Sequence, residues 1–389
     1  MIQAGVYKCF AHERIVFGKR LEDAVREELA HDGAQRCLVV ATRTLSRSTD
    51  VVDRLCEALG PRFKGLFDDC ESHVPRASVL EATALARQVD PDLIVAIGGG
   101  SAIDTAKMVQ ICLADGIEDT RPFDALYVRV DEDAEVMVPK IADPAMRLVA
   151  IPTTLSGAEF SHTAGATDPE RGIKDIYIQK YLAPQSIILD PDITVHTPEW
   201  VWLSSGIRAV DHAVESICSR FANPFTDSTC LKGLEMLSRA LPANKTRPDD
   251  IASRLDAQLG VWLSSTGMMR GQYGASHGLS WHLSAVADVP HGHCSCVLLP
   301  PVLRWNASVN ADAQGRVSAA MGMPTADAAD AVQALTAALS LPQRIREVGI
   351  RRAHFAKIAR DAMHNLLVRN NPRPIERQSD VHEILELGW

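Results

Sequence analysis

Residues 93–108 read LIVAIGGGSAIDTAKM and give the strongest indication of the architecture. It opens with the apolar run Leu93–Ile97, stops at Gly98–Gly100, and continues into Ala102–Met108, whose composition favours a helix. An apolar run that ends in glycines in this way is typical of a buried parallel strand. The stretch therefore predicts a strand, a glycine turn and a helix in immediate succession.

Similar signals lie on both sides of this unit. An amphipathic stretch at Leu21–Ala30 precedes the apolar run Cys37–Ala41, and short apolar runs follow at Leu148–Ile151 and Ile187–Leu189. Alternation of helices with short apolar strands favours helices layered on a mostly parallel sheet. The first half of the chain is therefore predicted to be an α/β, Rossmann-like domain.

The second half of the chain has a different sequence pattern. Long amphipathic segments rich in Ala and Leu, such as Ala252–Ser265 and Ala328–Leu339, are separated by Pro and Gly residues. This pattern predicts an all-helical C-terminal domain. The strand pattern breaks near Thr194–Pro198, which gives predicted domains at residues 1–193 and 194–389.

The composition of the 389-residue chain is ordinary for a globular protein, with 46% hydrophobic and 23% charged residues. Forty basic against forty-nine acidic side chains give a net charge of −9, which argues against nucleic-acid or membrane partners. No apolar stretch is long enough for a spanning helix, and residues 1–20 lack a secretory signal, so we expect a cytoplasmic protein. The nine cysteines are scattered without a framework, which favours reduced thiols.

The glycine turn is a candidate anion site. Glycines let backbone N–H groups approach a pyrophosphate closely, and the start of the following helix adds partial positive charge. Triple glycine also occurs in plain flexible turns, and Asp104 could simply be an acidic residue that complements the helix dipole. These two readings stay open from the turn alone.

Five segments together carry a resemblance to a known family. GGGSAIDTAK, PTTLSGAEFS, Asp190-Pro191, SGIRAVDHAVES and SHGLSWHLSAVADVPHG occur in this order over most of the chain. The sequence is similar to the iron-containing (group III) alcohol dehydrogenase superfamily, which has the dehydroquinate synthase-like architecture. The resemblance implies a Rossmann-like domain, a helical domain, a cleft for NAD(P) and substrate, and a homodimer.

The resemblance also implies which residues hold the cofactor: Thr42, Gly98, Gly99, Gly100, Ser101, Asp104, Thr153, Thr154 and Lys174. Lys174 could equally be a solvated surface lysine. NAD-restricted members carry an Asp at the end of the first strand, where it repels a 2′-phosphate. The corresponding residue here is Thr42, followed by Arg43, so we expect NAD(H) use with tolerance of NADP(H).

In metal-dependent members of the family, an Asp and a His four residues apart join two later histidines to bind iron or zinc. His212, His277 and His291 match the three histidines, but Arg208 stands at the position of the Asp. Guanidinium is always charged and has no lone pair to give, so it cannot ligate a cation and repels one nearby. Asp211 is a poor substitute because adjacent residues do not share a helical face.

Two further departures point to one branch of the family. Trp281 stands where many relatives carry another active-site histidine, and His282 is displaced from that position by one residue. The segment TTLSGAE at 153–159 is one residue shorter than the usual motif, as it is in maleylacetate reductases. That branch replaces the metal-binding Asp with Asn and works without a metal. The sequence is therefore most similar to the maleylacetate reductase branch.

These features predict a maleylacetate reductase-like oxidoreductase, which transfers a hydride from NAD(P)H to the carbonyl of a small oxo-acid or aldehyde without a metal. Negative charge develops on the carbonyl oxygen, and fixed cationic and imidazole donors can stabilise it in place of a cation. The predicted catalytic residues are Arg208, His212, His277 and His291. Arg208 could instead form only a salt bridge to Asp211 or Glu215.

Other functions stay open at this point. An iron- or zinc-dependent alcohol dehydrogenase could bind its metal with His212, His277 and His291 alone. An NAD-binding lyase of the dehydroquinate synthase type shares the architecture. A noncatalytic nucleotide-binding protein is the outcome if the changes at Arg208 and Trp281 have disabled the site.

Overall fold

The computed structural model describes Cys9 and residues 11–130, 136–268 and 273–389. The chain divides into two compact units, Met1–Thr197 and Pro198–Trp389. The sequence analysis places this boundary four residues earlier, after residue 193. None of the helices in the described ranges has both the length and the apolar character needed to span a membrane.

The first unit is built on a parallel sheet. Its described strands are β1 Arg14–Phe17, β2 Cys37–Thr42, β3 Phe63–Cys70, β4 Leu93–Gly98, β5 Arg129–Val130, β6 Val136–Met137, β7 Arg147–Pro152, β8 Thr163–Asp168, β9 Ile173–Ile178 and β10 Ser186–Leu189. Six of them form one sheet in the order β1-β10-β7-β4-β2-β3, with every neighbouring pair parallel. Strands β5 and β6, and likewise β8 and β9, pair separately as antiparallel hairpins.

Helices cover this sheet because its central strands are apolar on both faces. Every residue of β4 and β10 is buried. The described α-helices of the first unit are α1 Leu21–Asp32, α2 Arg43–Ser48, α3 Val51–Leu59, α4 Arg76–Val89, α5 Gly100–Ala114 and α6 Phe123–Leu126. Helix α5 begins two residues after β4 ends, so the strand, glycine turn and helix predicted from residues 93–108 are confirmed.

The strand order brings the candidate cofactor segments to one edge of the sheet. Strands β2, β4 and β7 are neighbours and run parallel, so their carboxyl ends lie side by side. Thr42 closes β2, Gly98 closes β4, and Thr153 directly follows β7. The backbone N–H of Thr153 donates to the carbonyl oxygen of Gly98 at 2.9 Å, which ties the two segments together.

The second unit is helical throughout its described residues. Its α-helices are α7 Glu199–Cys218, α8 Pro224–Thr246, α9 Ile251–Ser264, α10 Ala275–Ala287, α11 His291–Ala320, α12 Ala328–Ala338, α13 Arg352–Ala362, α14 Leu366–Arg369 and α15 Gln378–Leu387. The predicted combination of an α/β domain with a parallel sheet and an all-helical C-terminal domain is confirmed.

Two glycines allow the helices of the second unit to approach closely. A Cβ on Gly292 would lie 2.6 Å from the carbonyl carbon and oxygen of Ser204, so α11 starts against the backbone of α7. A Cβ on Gly278 would lie 2.9 Å from the backbone nitrogen of Val368, so α10 packs against α14 in the same way. These contacts fix the helices that carry the histidines.

All nine cysteines are free thiols. Cys9 is exposed, Cys56 is half-buried and the other seven are buried. Burial raises the pKa of the Cys37 and Cys56 thiols to about 11 and that of Cys112 to about 12. A thiol with a raised pKa is a poor nucleophile at neutral pH, so these side chains act as small apolar residues.

Candidate functional site

The glycine turn of the first unit is a cradle that side chains would fill. Gly98 has φ +140°, and a Cβ there would lie 2.9 Å from the Cγ2 of Thr42. A Cβ on Gly99 would lie 3.1 Å from the Cγ2 of Thr154. Glycine at these two positions therefore keeps the backbone open between the ends of β2 and β7.

The same turn exposes the start of a long helix. Gly99 is the N-cap of α5, and no described side chain caps this end of the helix. A Cβ on Gly100 would approach the Oγ of Ser156 at 3.3 Å, so the segment after β7 closes the other side. Backbone N–H groups at an open helix start suit a pyrophosphate, and the predicted residues of this turn fit a dinucleotide.

Lys174 and Asp104 neutralise each other beside this turn. The Nζ of Lys174 on β9 donates to Oδ2 of Asp104 on α5 at 2.9 Å. Its aliphatic chain crosses Gly165, where a Cβ would lie 2.1 Å from the Cε of Lys174. Lys174 is therefore an ordered ion-pair partner of a predicted cofactor residue, and a freely solvated lysine is excluded.

A residue that was not predicted from the sequence, Lys107, fixes the segment after β7. Lys107, fully buried on α5, donates from Nζ to the carbonyl oxygens of Ala158, Ser161 and Thr163 at 2.7, 2.8 and 2.9 Å. Burial lowers the pKa of Lys107 to about 8 and raises the pKa of buried Glu159 to about 7. The signal in the sequence was a lysine on the apolar side of a buried helix.

Thr42 is followed by a basic residue whose charge is compensated. Arg43 forms an ion pair with Asp69 near the end of β3, and Arg47 lies 3.6 Å from Asp68. The end of β2 therefore carries no acidic side chain of its own, while two acids lie on the neighbouring strand. The prediction that NADP(H) is tolerated depends on the balance between these arginines and acids.

In the second unit, Arg208 is held by hydroxyl groups. Its Nη1 donates to Oγ of Ser295 at 3.1 Å and, more weakly, to Oγ of Ser280 at 3.4 Å. Asp211 Oδ2 lies 3.7 Å from the same nitrogen, which is an ion pair without a direct hydrogen bond. The Nε and Nη2 groups make no hydrogen bond within the described part of the chain, and the side chain is 13% exposed. The Nε and Nη2 groups of the guanidinium are therefore available to donate to a ligand.

Asp211 holds this arrangement in place through hydrogen bonds. Its Oδ2 accepts hydrogen bonds from the hydroxyls of Ser276 at 2.8 Å and Ser295 at 2.7 Å. Ser295 thus connects the guanidinium of Arg208 to the carboxylate. Burial raises the pKa of Asp211, opposed by His277, and Arg208 also opposes it. The alternative of a salt bridge from Arg208 is seen here with Asp211, whereas Glu215 is not within ion-pair distance of Arg208 among the described residues.

Glu215 orients His277. Its carboxylate oxygens accept hydrogen bonds from the backbone N–H groups of Gly274, Ser276 and His277 at the start of α10. The Nδ1 of His277 lies 2.7 Å from Oε2 of Glu215, so the opposite nitrogen, Nε2, faces away from this carboxylate. Burial raises the pKa of Glu215 to about 7, and burial together with Arg208 lowers that of His277 to about 3.

Three aromatic rings stack beside Arg208. His277 lies 5.0 Å from His212 and 4.0 Å from Tyr273, measured between ring centroids. The rings of His212 and Tyr273 are nearly parallel, with 4° between their planes. Burial lowers the pKa of His212 well below its usual value, so both imidazoles are neutral. Tyr273 was not predicted, because it lies outside the motifs that carry the family resemblance.

The fourth predicted catalytic residue, His291, lies at the junction of α10 and α11. His291 begins α11, is half-buried, and has its Nδ1 3.4 Å from Oγ of Ser284. Trp281 is 39% exposed on α10, and Nε2 of His282 lies 3.5 Å from the amide nitrogen of Asn365. Arg208, His212 and His277 are brought together, and His291 contacts Ser284 near the end of α10.

The donor set does not fit a divalent cation. Over the described ranges, the one set of three acidic or imidazole groups with mutually close ligand atoms is Asp211, Glu215 and His277, within 4.8 Å. The oxygens that face this set already accept hydrogen bonds from serine hydroxyls or backbone N–H groups. His212 and His291, the other two histidines of the metal site that the resemblance implies, are not part of this set.

Comparison with known proteins identifies the family. Residues 12–191 match the model described as "Iron-containing alcohol dehydrogenase", and residues 202–388 match "Fe-containing alcohol dehydrogenase family, C-terminal". Maleylacetate reductase from Sphingobium indicum is 31% identical, covering 95% of this chain and 93% of its own. Dehydrogenase FUM7 from Gibberella moniliformis is also 31% identical, covering 91% of each chain.

A solved structure extends this similarity to three dimensions. Maleylacetate reductase from Agrobacterium tumefaciens superposes with a TM-score of 0.83 at 25% identity, covering 100% of this chain and 99% of its own. The resemblance to the maleylacetate reductase branch is confirmed by these relatives. Matched over both of its units, the chain belongs to the iron-containing alcohol dehydrogenase family and is an NAD(P)-dependent oxidoreductase.

Proposed function

We propose that this protein reduces the carbonyl group of a small oxo-acid or aldehyde with NAD(P)H and without a metal. The observation that carries the proposal is the guanidinium of Arg208, which is anchored through Nη1 while Nε and Nη2 stay available. A planar fork of donors with a permanent charge suits a carboxylate or a developing oxyanion. An oxo-acid offers both groups.

The reaction is the reduction of a carbonyl carbon by a hydride. A bound nicotinamide would supply the hydride, and the electron pair of the C=O double bond would move to oxygen. Arg208 stabilises the resulting negative charge. Neutral His277, hydrogen-bonded at Nδ1 to the acid Glu215, gives its Nε2 proton to that oxygen while Nδ1 takes the proton of Glu215, whose pKa is raised by burial to about 7. The products are the alcohol, the oxidised cofactor and an ionised Glu215, which takes up a proton again from water.

Metal independence is part of the proposal, and two features of the site support it. Arg208 occupies the sequence position of the aspartate that metal-binding relatives use, and its charge repels a cation near His212. Oδ2 of Asp211 and both carboxylate oxygens of Glu215 already accept hydrogen bonds from hydroxyl or backbone donors. The positive charge that the metal contributes elsewhere comes from the guanidinium.

The cofactor is proposed to bind at the glycine turn. NAD(H) is the expected form, with Gly98–Gly100 and the open start of α5 facing the pyrophosphate. NADP(H) use is proposed as tolerated because Thr42 brings no negative charge. A homodimer in the cytoplasm, with a small-molecule substrate and no nucleic-acid or membrane partner, completes the proposal.

The test replaces Arg208 and follows oxidation of NADH with a panel of oxo-acids and aldehydes. Arg208→Met is expected to lower kcat/KM for oxo-acids by about 10²-fold or more, since one preorganised charge donor is lost. Arg208→Lys keeps the charge but loses the fork, so partial activity is expected. Affinity for NADH, measured by titration of nucleotide fluorescence, should stay unchanged.

Arg304→Met is the matched control. Arg304 lies in the same unit and pairs with Asp330, so its loss removes one cation without touching the Arg208 cluster. Equal kinetics for the wild type and Arg208→Met would overturn the proposed role. Iron or zinc bound at one equivalent per chain, with activity lost on chelation and restored by that metal, would overturn metal independence.

A further inference from the structure

Four buried polar atoms around Arg208 have no hydrogen-bond partner among the described residues. They are Oδ1 of Asp211, Nδ1 of His212, the hydroxyl of Tyr273 and Nε2 of His277. Buried polar groups in proteins are nearly always paired, because an unpaired group loses its hydrogen bonds to water without compensation. A cluster of such atoms indicates that a polar ligand completes the site.

Tyr273 stands out among the four because its ring needs no hydroxyl for packing. The ring is 8% exposed and stacks on His277 at 4.0 Å with 25° between the planes. It also lies parallel to His212. A phenylalanine would make the same contacts without burying an unpaired donor. The hydroxyl therefore has a use that packing does not explain.

The hydroxyl of Tyr273 remains a donor at any ordinary pH. Burial raises the pKa of Tyr273 well above its usual value, and the charge of Arg208 opposes this shift. A neutral phenol in a dry environment can donate to a negative oxygen but does not itself ionise. Its position in the ring stack keeps it next to the imidazole that we propose as the proton donor.

We propose that Tyr273 is a further catalytic residue, whose hydroxyl donates a hydrogen bond to the substrate oxygen as negative charge develops during hydride transfer. This inference rests on the proposed function. Tyr273 keeps its proton throughout, so the proton that ends on the alcohol still comes from His277. The hydrogen bond and Arg208 act on the same oxygen from separate elements, the start of α10 and helix α7.

Tyr273→Phe is the test, because it removes the hydroxyl and retains the ring stack. The expected result is a fall in kcat for oxo-acid reduction of about 10²-fold, the usual loss for one oxyanion donor. The KM of the substrate and the affinity for NADH should change little, because the hydrogen bond strengthens only as charge develops. Thermal unfolding followed by circular dichroism checks that the variant is folded.

Tyr177→Phe is the matched control. Tyr177 is a second buried tyrosine, but it lies on β9 in the first unit. Loss of the Tyr177 hydroxyl should leave kcat unchanged. Tyr273→Leu removes the ring as well as the hydroxyl. If its fall in kcat equals that of Tyr273→Phe, the hydroxyl accounts for the whole effect. A large loss in Tyr273→Leu with none in Tyr273→Phe would assign Tyr273 to packing alone.

The outcomes separate this inference from the proposed function. If the wild type reduces oxo-acids and depends on Arg208, while Tyr273→Phe has the wild-type kcat, the inference is wrong and the proposed function stands. If Arg208→Met is as active as the wild type, the proposed function fails first. A loss in Tyr273→Phe that appears only in KM contradicts the inference, because it indicates ground-state binding.

Discussion

The guanidinium of Arg208 belongs to a network of buried polar and charged side chains. It is connected through Ser295 to Asp211, and the imidazole of His277 is fixed by Glu215. Each charged group therefore has a buried polar partner that holds its geometry. Preorganised groups of this kind stabilise developing charge without having to rearrange during the reaction.

Glu159 gives a pH-dependent prediction for stability. Burial raises its pKa from an ordinary value of 4.5 to about 7, so the folded chain favours the protonated acid. Its contribution to stability is complete below the unfolded pKa and is lost as the pH rises through about 7. A shift of this size corresponds to at most ~3 kcal/mol.

Glu159→Gln removes this ionisation. We expect the wild type to lose up to ~3 kcal/mol of unfolding free energy relative to Glu159→Gln between about pH 5 and about pH 7.5. Urea unfolding curves at several pH values measure the difference. Lys107 keeps its charge over most of this range, because its pKa is about 8. Parallel pH profiles for the two proteins would contradict the prediction.

Among the elements, the start of α11 depends on a single glycine. Gly292 lies against the backbone of Ser204 on α7, where a Cβ would be 2.6 Å from two backbone atoms. Backbone atoms cannot swing aside as the end of a side chain can. Overpacking at such a contact typically costs ~1–3 kcal/mol.

Gly292→Ala is therefore expected to destabilise the protein by ~1–3 kcal/mol and to displace the neighbouring His291. The control is Gly315→Ala, which lies in α11 beyond the kink at Asn310, because nothing lies within 4 Å of a Cβ at that position. Gly315→Ala should stabilise by ~0.5–1 kcal/mol through helix propensity. Chemical unfolding measures both, and equal stability of the two variants would show that α7 and α11 can separate without cost.

Elements with strong apolar patterns could be predicted from the sequence, and others could not. The runs at β2, β4 and β7 are buried on both faces, so their composition alone identifies them. Strand β3, with the sequence FKGLFDDC, carries three charged residues and was missed. It lies at an edge of the sheet, where partial exposure tolerates such residues. Strands β8 and β9, which form a hairpin outside the main sheet, were also missed.

For the molecule as a whole, the sequence predicted the two architectures, the family and the positions of Arg208, His212 and His277. It did not predict the residues that hold them. Glu215, Ser295 and Tyr273 gain their roles from contacts between α7, α10 and α11, and a single sequence does not contain those distances. Lys107 was missed because its partners are backbone carbonyls, which leave no pattern in the sequence.

Because most of the thiols are buried, their reaction with an alkylating reagent measures the unfolding of the unit that contains them. An alkylating reagent applied to the native protein should label Cys9 fully and Cys56 slowly. Opening of the first unit would add Cys37, Cys70 and Cys112, whereas opening of the second would add Cys218, Cys230, Cys294 and Cys296. Peptide masses after a pulse of reagent in rising urea therefore distinguish one cooperative transition from two. The cysteines are distributed so that no engineered probe is needed for the measurement.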